Sequence, residues 1–93
     1  MKLAAVVNPP TDTHLRLLAQ LGVPDLVYYN MHGMPTELAA LRAEQKRVEQ
    51  QGMRIAVVEG GPPIDLIVLG KRGRDAQIET YKRALDAMGR LGI

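Results

Sequence analysis

Cysteine, tryptophan and phenylalanine are all missing from these 93 residues. Without cysteine there is no disulfide and no thiolate metal site in this stretch, which fits a cytoplasmic protein. With Tyr28, Tyr29 and Tyr81 as the only aromatics, core volume must come from Leu, Val, Ile, Met and Ala. No apolar run approaches the roughly 18 residues of a membrane span. Met1 to Val7 is too short for a signal peptide and meets Asn8-Pro9-Pro10 at once. Charge of one sign is scarce too: twelve Lys and Arg stand against ten Asp and Glu, net +2, scattered along the helices, which argues against nucleic acid as a partner. The one local basic cluster, Lys71-Arg72-Gly73-Arg74, suits a small carboxylate or phosphate, with a solvated loop as the alternative.

What is present is a repeating pattern sized for one domain. Leu3 to Val7 is a continuous apolar run of the kind that forms a strand buried on both faces, stopped by Asn8-Pro9-Pro10. Thr11 or Asp12 offers a cap for a first helix, in which Leu15, Leu18 and Leu21 recur at helical spacing and Leu17 widens the stripe. A second strand over Asp25 to Tyr29 leads into the loop Asn30-Met31-His32-Gly33-Met34. Pro35 is expected in the first turn of a second helix, with Glu37 at its positive end. That helix buries Leu38, Leu41, Gln45 and Val48 and wets Glu37, Arg42, Glu44, Lys46, Arg47 and Glu49. A third strand, Met53 to Val58, ends at Glu59-Gly60-Gly61-Pro62-Pro63. Ile64 to Leu69 reads as an extended loop over the sheet edge, because it has no crossover to a parallel neighbour. Asp75 is expected to cap a third helix carrying Ile78, Tyr81, Leu85 and Met88.

Helix-like stretches close on Gly22, Gly52 and Gly92, and after the first two the chain turns extended. The closure at Gly92 leaves only Ile93, so three strand-helix units of a longer repeat are expected. Three buried strands alternating with amphipathic helices require parallel pairing with right-handed crossovers. An open doubly wound sheet and an arc of a closed (β/α)8 barrel both satisfy this. The barrel is favoured because Asn8-Pro9-Pro10 follows the first strand where a dinucleotide fold carries its glycine-rich turn.

In such folds chemistry gathers at the carboxyl ends of the strands. Glu59, ending an apolar strand beside two glycines, can take a proton, bind a metal or hold a hydroxyl; a solvated carboxylate is the plainer alternative. His32 is an acid/base or substrate candidate in its loop. Asn8 either bonds a ligand or terminates its own strand. His14 reads as a surface residue. Tyr28 and Tyr29 point to opposite faces, one inside and one outside. No Ser-His-Asp grouping, P-loop or spaced Cys/His pair occurs.

From Ile64 to Asp75, continuing through Ile78-Glu79-Thr80-Tyr81-Lys82, the chain resembles the mannonate dehydratase family of the xylose-isomerase-like barrels. The shared features are a strand ending in glutamate, a proline loop, Leu69-Gly70, Gly73-Arg74-Asp75 and a helix with Glu79, Tyr81 and Lys82. The resemblance implies an enzyme that removes water from D-mannonate to give 2-keto-3-deoxygluconate with Mn2+ or Fe2+, its ligands and main acid/base groups on strands beyond this stretch. It implies that Asn8, Asn30, His32, Glu59, Lys71, Arg72 and Arg74 contribute to the rim of a sugar-acid pocket. The stretch by itself is expected to be inactive and to bind no metal tightly. One alternative is a nucleotide module like the universal stress proteins, since Asp65 to Arg74 is similar to their strand and glycine loop. Another is a non-catalytic piece that pairs with a second copy through its open sheet edges.

Overall fold

The computed structural model describes residues 1–30 and 33–93. Strand β1 (Ala4–Val6) is followed by helix α1 (Asp12–Gln20), β2 (Asp25–Tyr28), α2 (Leu38–Gln50) and β3 (Arg54–Val58). A short α3 (Asp65–Val68) and a long α4 (Arg74–Leu91) complete the described elements. The strands form one parallel sheet in the order β1-β2-β3, as expected of successive strand-helix units. Each strand is shorter than its apolar run by one or two residues, because ladder pairing stops before the breakers at either end.

Helices α1 and α2 cover one face of the sheet, and the core lies between: Leu15, Leu26, Tyr28, Val48, Met53 and Ile55, with Leu18, Met34 and Val58 packed against it. Leu17 and Leu21, expected in the same stripe, are more than half exposed. A bulge in the β2–β3 pairing leaves Ala56 without a register partner, so Leu26 faces Ile55 while Tyr28 faces Val58. The extra residue keeps both Ile55 and Val58 with the core, where strict alternation would have turned Val58 away. Tyr28 is buried and Tyr29 exposed, as the alternation of side chains requires.

Thr11 caps α1, its hydroxyl accepting from the His14 amide at 3.2 Å, and His14 is exposed. Gly22, Gly52 and Gly92 all take positive φ after their helices, and Gly92 is the C-cap of α4. Three expectations are corrected. Residues 65–68 form helix α3, not an extended loop. The Gln77 side chain explains it: Oε1 accepts from Leu66 N at 3.0 Å and Ile67 N at 3.3 Å, while Nε2 donates to Asp65 at 2.9 Å, so α4 itself satisfies the first turn of α3. Pro35 lies ahead of α2, whose first bond is Leu41 N to Glu37 O, with Glu37 as the N-cap residue. Asp75 lies inside the first turn of α4, and the cap position is Gly73 at φ 96°. A Cβ there would stand 3.0 Å from Leu66 Cδ1, so the tight α3–α4 turn demands glycine.

Helix α4 also packs by a different stripe. Its buried residues are Ala84 and Ala87, whereas Leu85 is about half exposed. Gln45 Nε2 donates to Leu91 O at 3.0 Å, and Arg83 lies 3.6 Å from Glu37, so α2 and α4 run parallel side by side. Among the described residues no helix is long and apolar enough to cross a membrane.

Candidate functional site

Parallel pairing brings the carboxyl ends of all three strands to one side, and the loops that follow carry Asn8, Asn30 and Glu59. Asn8 is exposed and precedes a cis Asn8–Pro9 bond. Asn30 is half-buried directly after β2. Glu59 is exposed, and its backbone N–H donates to Tyr28 O at 2.9 Å, which prolongs the β2–β3 ladder past the last strand residue. These three therefore share one rim. His32 lies outside the described residues.

The loop behind Glu59 is held between two tyrosine rings. Gly60, at φ 88°, sits against Tyr29, where a Cβ would lie 3.8 Å from the ring, an ordinary contact. At Gly61 a Cβ would come within 3.2 Å of Tyr81, so the ring lies on bare backbone and only glycine fits without displacing it. Tyr81 on α4 thus sets the height of the Glu59 loop.

Lys71, Arg72 and Arg74 are exposed around the α3–α4 turn, and Arg74 Nη1 donates to Gly70 O at 3.1 Å. Arg83 lies level with Glu37 at the start of α2, and Arg74 is nine residues earlier on the same helix. At 1.5 Å per residue that is ~13 Å further along the axis. The basic cluster projects beyond the start of α2.

A polar network beneath the rim adds residues that the sequence pattern does not single out. The buried Tyr28 hydroxyl donates to Glu44 Oε1 at 3.0 Å. Arg47 grips the same carboxylate with Nε at 2.9 Å and Nη2 at 2.6 Å. Its guanidinium also reaches Pro10 O at 2.8 Å and Asp12 Oδ1 at 2.6 Å. The Arg47 fork holds the Glu44 carboxyl below the usual carboxylate range, against its partial burial. Burial pushes the Tyr28 phenol up, opposed by a hydrogen bond from Asn30. Arg47 is raised by the Glu44 hydrogen bond. Helical spacing puts Glu44 and Arg47 on the wet face of α2; a helical wheel shows that face but not the rising strand end and loop that cover it.

At the opposite end of the sheet, Asp25 is buried and Arg54 donates to its Oδ1 from Nε at 3.1 Å and Nη2 at 2.9 Å, across the register pair that starts β2 and β3. That pair ties the strands where no rim loop is near.

The family model for D-mannonate dehydratase matches residues 10–93. The chain belongs to the mannonate dehydratase family. Mannonate dehydratase from Streptococcus suis is 36% identical over 72 residues, 77% of this chain and 20% of that protein. The Oceanobacillus iheyensis mannonate dehydratase is 38% identical over 53 residues, 57% of this chain and 15% of that protein. The crystal structure of mannonate dehydratase from Streptococcus suis serotype 2 superposes with a TM-score of 0.76 at 31% identity, covering all of this chain and 28% of that one. The chain thus spans about a fifth or less of the length of these two curated relatives. The α/β reading of parallel strand-helix units and the family resemblance both hold. The nucleotide-module alternative loses its footing, because the segment it needs as a strand is helix α3.

Proposed function

We propose that this chain supplies an arc of a mannonate dehydratase barrel, and that the complete enzyme removes water from D-mannonate to give 2-keto-3-deoxygluconate in the cytoplasm. One observation carries the reading: the whole chain superposes on a solved mannonate dehydratase at 31% identity. In this role Asn8, Asn30 and Glu59 stand at the strand ends facing a sugar acid, His32 is a further substrate contact proposed from the sequence alone, and Lys71, Arg72 and Arg74 supply positive charge from the α3–α4 turn. Asparagine amides and the Glu59 carboxylate suit the hydroxyls of such a substrate, and arginine suits its carboxylate.

The family chemistry also calls for a divalent metal, Mn2+ or Fe2+. Among the described residues no three of His, Cys, Asp and Glu come together as such an ion would need. The described residues do not by themselves make up a metal centre, and the part proposed for them is to bind and orient the substrate. The bond-breaking machinery belongs to other segments of the complete enzyme.

The test is a substitution series within a complete enzyme that contains this sequence. Glu59→Gln removes the negative charge and exchanges one acceptor oxygen for an amide donor, and Arg74→Met removes the guanidinium, so each loses a contact to a charged or polar ligand. Such a contact is worth about 1.5–3 kcal/mol, so each is expected to lower kcat/KM roughly 10- to 100-fold. Unchanged dehydration kinetics in both would remove these residues from the site.

A further inference from the structure

The Tyr28–Glu44–Arg47 network touches both loops from which Asn8 and Asn30 project. Arg47 Nη2 donates to Pro10 O, two residues past Asn8, and Nη1 reaches Asp12 at the start of α1. Glu44, fixed by the same guanidinium, accepts from Tyr28 at the end of β2. The Tyr28 hydroxyl has one proton, and that proton goes to Glu44, so its bond with Asn30 requires the Asn30 side-chain amide to be the donor. A directed chain results: the Asn30 amide donates to Tyr28, Tyr28 donates to Glu44, and Glu44 is gripped by Arg47, which also holds the Pro10 carbonyl.

We propose that Glu44 and Arg47 are positioning residues, a clamp seated on α2 that fixes the β1–α1 loop bearing Asn8 and orients the side-chain amide of Asn30 through Tyr28. The geometry needs a planar fork. Arg47 bonds Glu44, Pro10 and Asp12 with three differently directed nitrogens, which a lysine ammonium cannot reproduce. With its N–H edge turned to Tyr28, the Asn30 amide presents its carbonyl on the other edge. A carbonyl oxygen has two lone pairs and so accommodates a ligand hydroxyl beside another partner. The importance of this orientation for a ligand rests on the rim reading proposed above; the clamp itself does not.

The test is side-chain and backbone amide NMR on the 93-residue chain. Tyr28→Phe removes one oxygen and is expected to shift the Asn30 side-chain amide pair and abolish its protection from exchange, leaving the Asn8 and Thr11 amides in place. Arg47→Lys keeps the charge but loses the fork, and is expected to move both sets. In both variants the sheet amides of Leu26 and Ile55 stay fixed. An unmoved Asn30 pair in Tyr28→Phe, or unmoved Asn8 and Thr11 amides in folded Arg47→Lys, overturns the clamp. If Arg47→Lys does not fold, the unsubstituted chain decides: separate, slowly exchanging Arg47 Nη resonances are expected, and a freely averaging guanidinium contradicts it. An inactive complete enzyme with these signals intact would sink the functional reading and leave the clamp standing.

Discussion

Removing the single hydroxyl of Tyr28 leaves Glu44 with one hydrogen bond fewer in a partly buried site, and takes away the partner that Tyr28 offers the Asn30 side chain. The loss of a buried bond to a charged partner costs about 1.5–3 kcal/mol, so Tyr28→Phe is expected to lower unfolding free energy by that amount in urea titration. An unchanged midpoint would show the bond to be energetically idle. The pH dependence follows from the same residues. The folded Glu44 carboxyl lies below its unfolded value, held there by Arg47, so its contribution is present above the ordinary glutamate pKa, about 4.3, and is lost as pH falls through the lower folded value. Tyr28 is raised, so its contribution is present below about pH 10 and is lost as pH rises through the folded value. Thermal melts should therefore show the acid loss reduced in Glu44→Gln. Much at this scale was legible: two adjacent tyrosines on a strand must face opposite ways, and Tyr28 and Tyr29 do. The wet-face assignment of Glu44 and Arg47 failed because charge alone does not show that a pair is covered by partners distant in sequence. Asp12 and Pro10 lie 35 and 37 residues from Arg47.

Among the elements, the apolar spacing of α2 was enough to identify its core face, since Leu41 and Val48 are fully buried. Leu41→Ala is expected to cost about 2–5 kcal/mol, read by the same urea titration. The spacing of α4 misled, because its inner stripe is Ala84 and Ala87, small residues that let it lie close against α2, and a pattern keyed to large side chains overlooks them. Segment 65–68 failed for a different reason. Its run of Leu, Ile and Val has the composition of a strand, and what makes it helical is Gln77, one turn into the next helix, bonding two of its first amides. Gln77→Ala is accordingly expected to release the Leu66 and Ile67 amides to rapid hydrogen exchange while α4 stays protected. Equal protection before and after would mean that α3 holds itself. Gly73→Ala combines positive φ with a 3.0 Å approach to Leu66, and a cost of about 1–3 kcal/mol is expected at that turn.

For the molecule as a whole, the parallel order of the strands and their strand-helix alternation were readable, because the strands lack polar alternation and the helices are striped; burial of every strand on both faces was not borne out, since β1 and β3 leave one face open. Asn8, Asn30 and Glu59 come to the same end of the sheet, as residues following parallel strands must, while the Lys71 to Arg74 cluster lies around the α3–α4 turn. The sheet leaves β1 and β3 as its outer strands, and apolar Val6 and Val57 are about half exposed. The account is tested most directly by replacing the matching segment of the Streptococcus suis mannonate dehydratase with these 93 residues and assaying the chimera with D-mannonate. Dehydration within about tenfold of the parent, a barrier change of at most ~1.4 kcal/mol, is the expected result. A chimera that folds like the parent yet forms no keto-deoxy acid would contradict it.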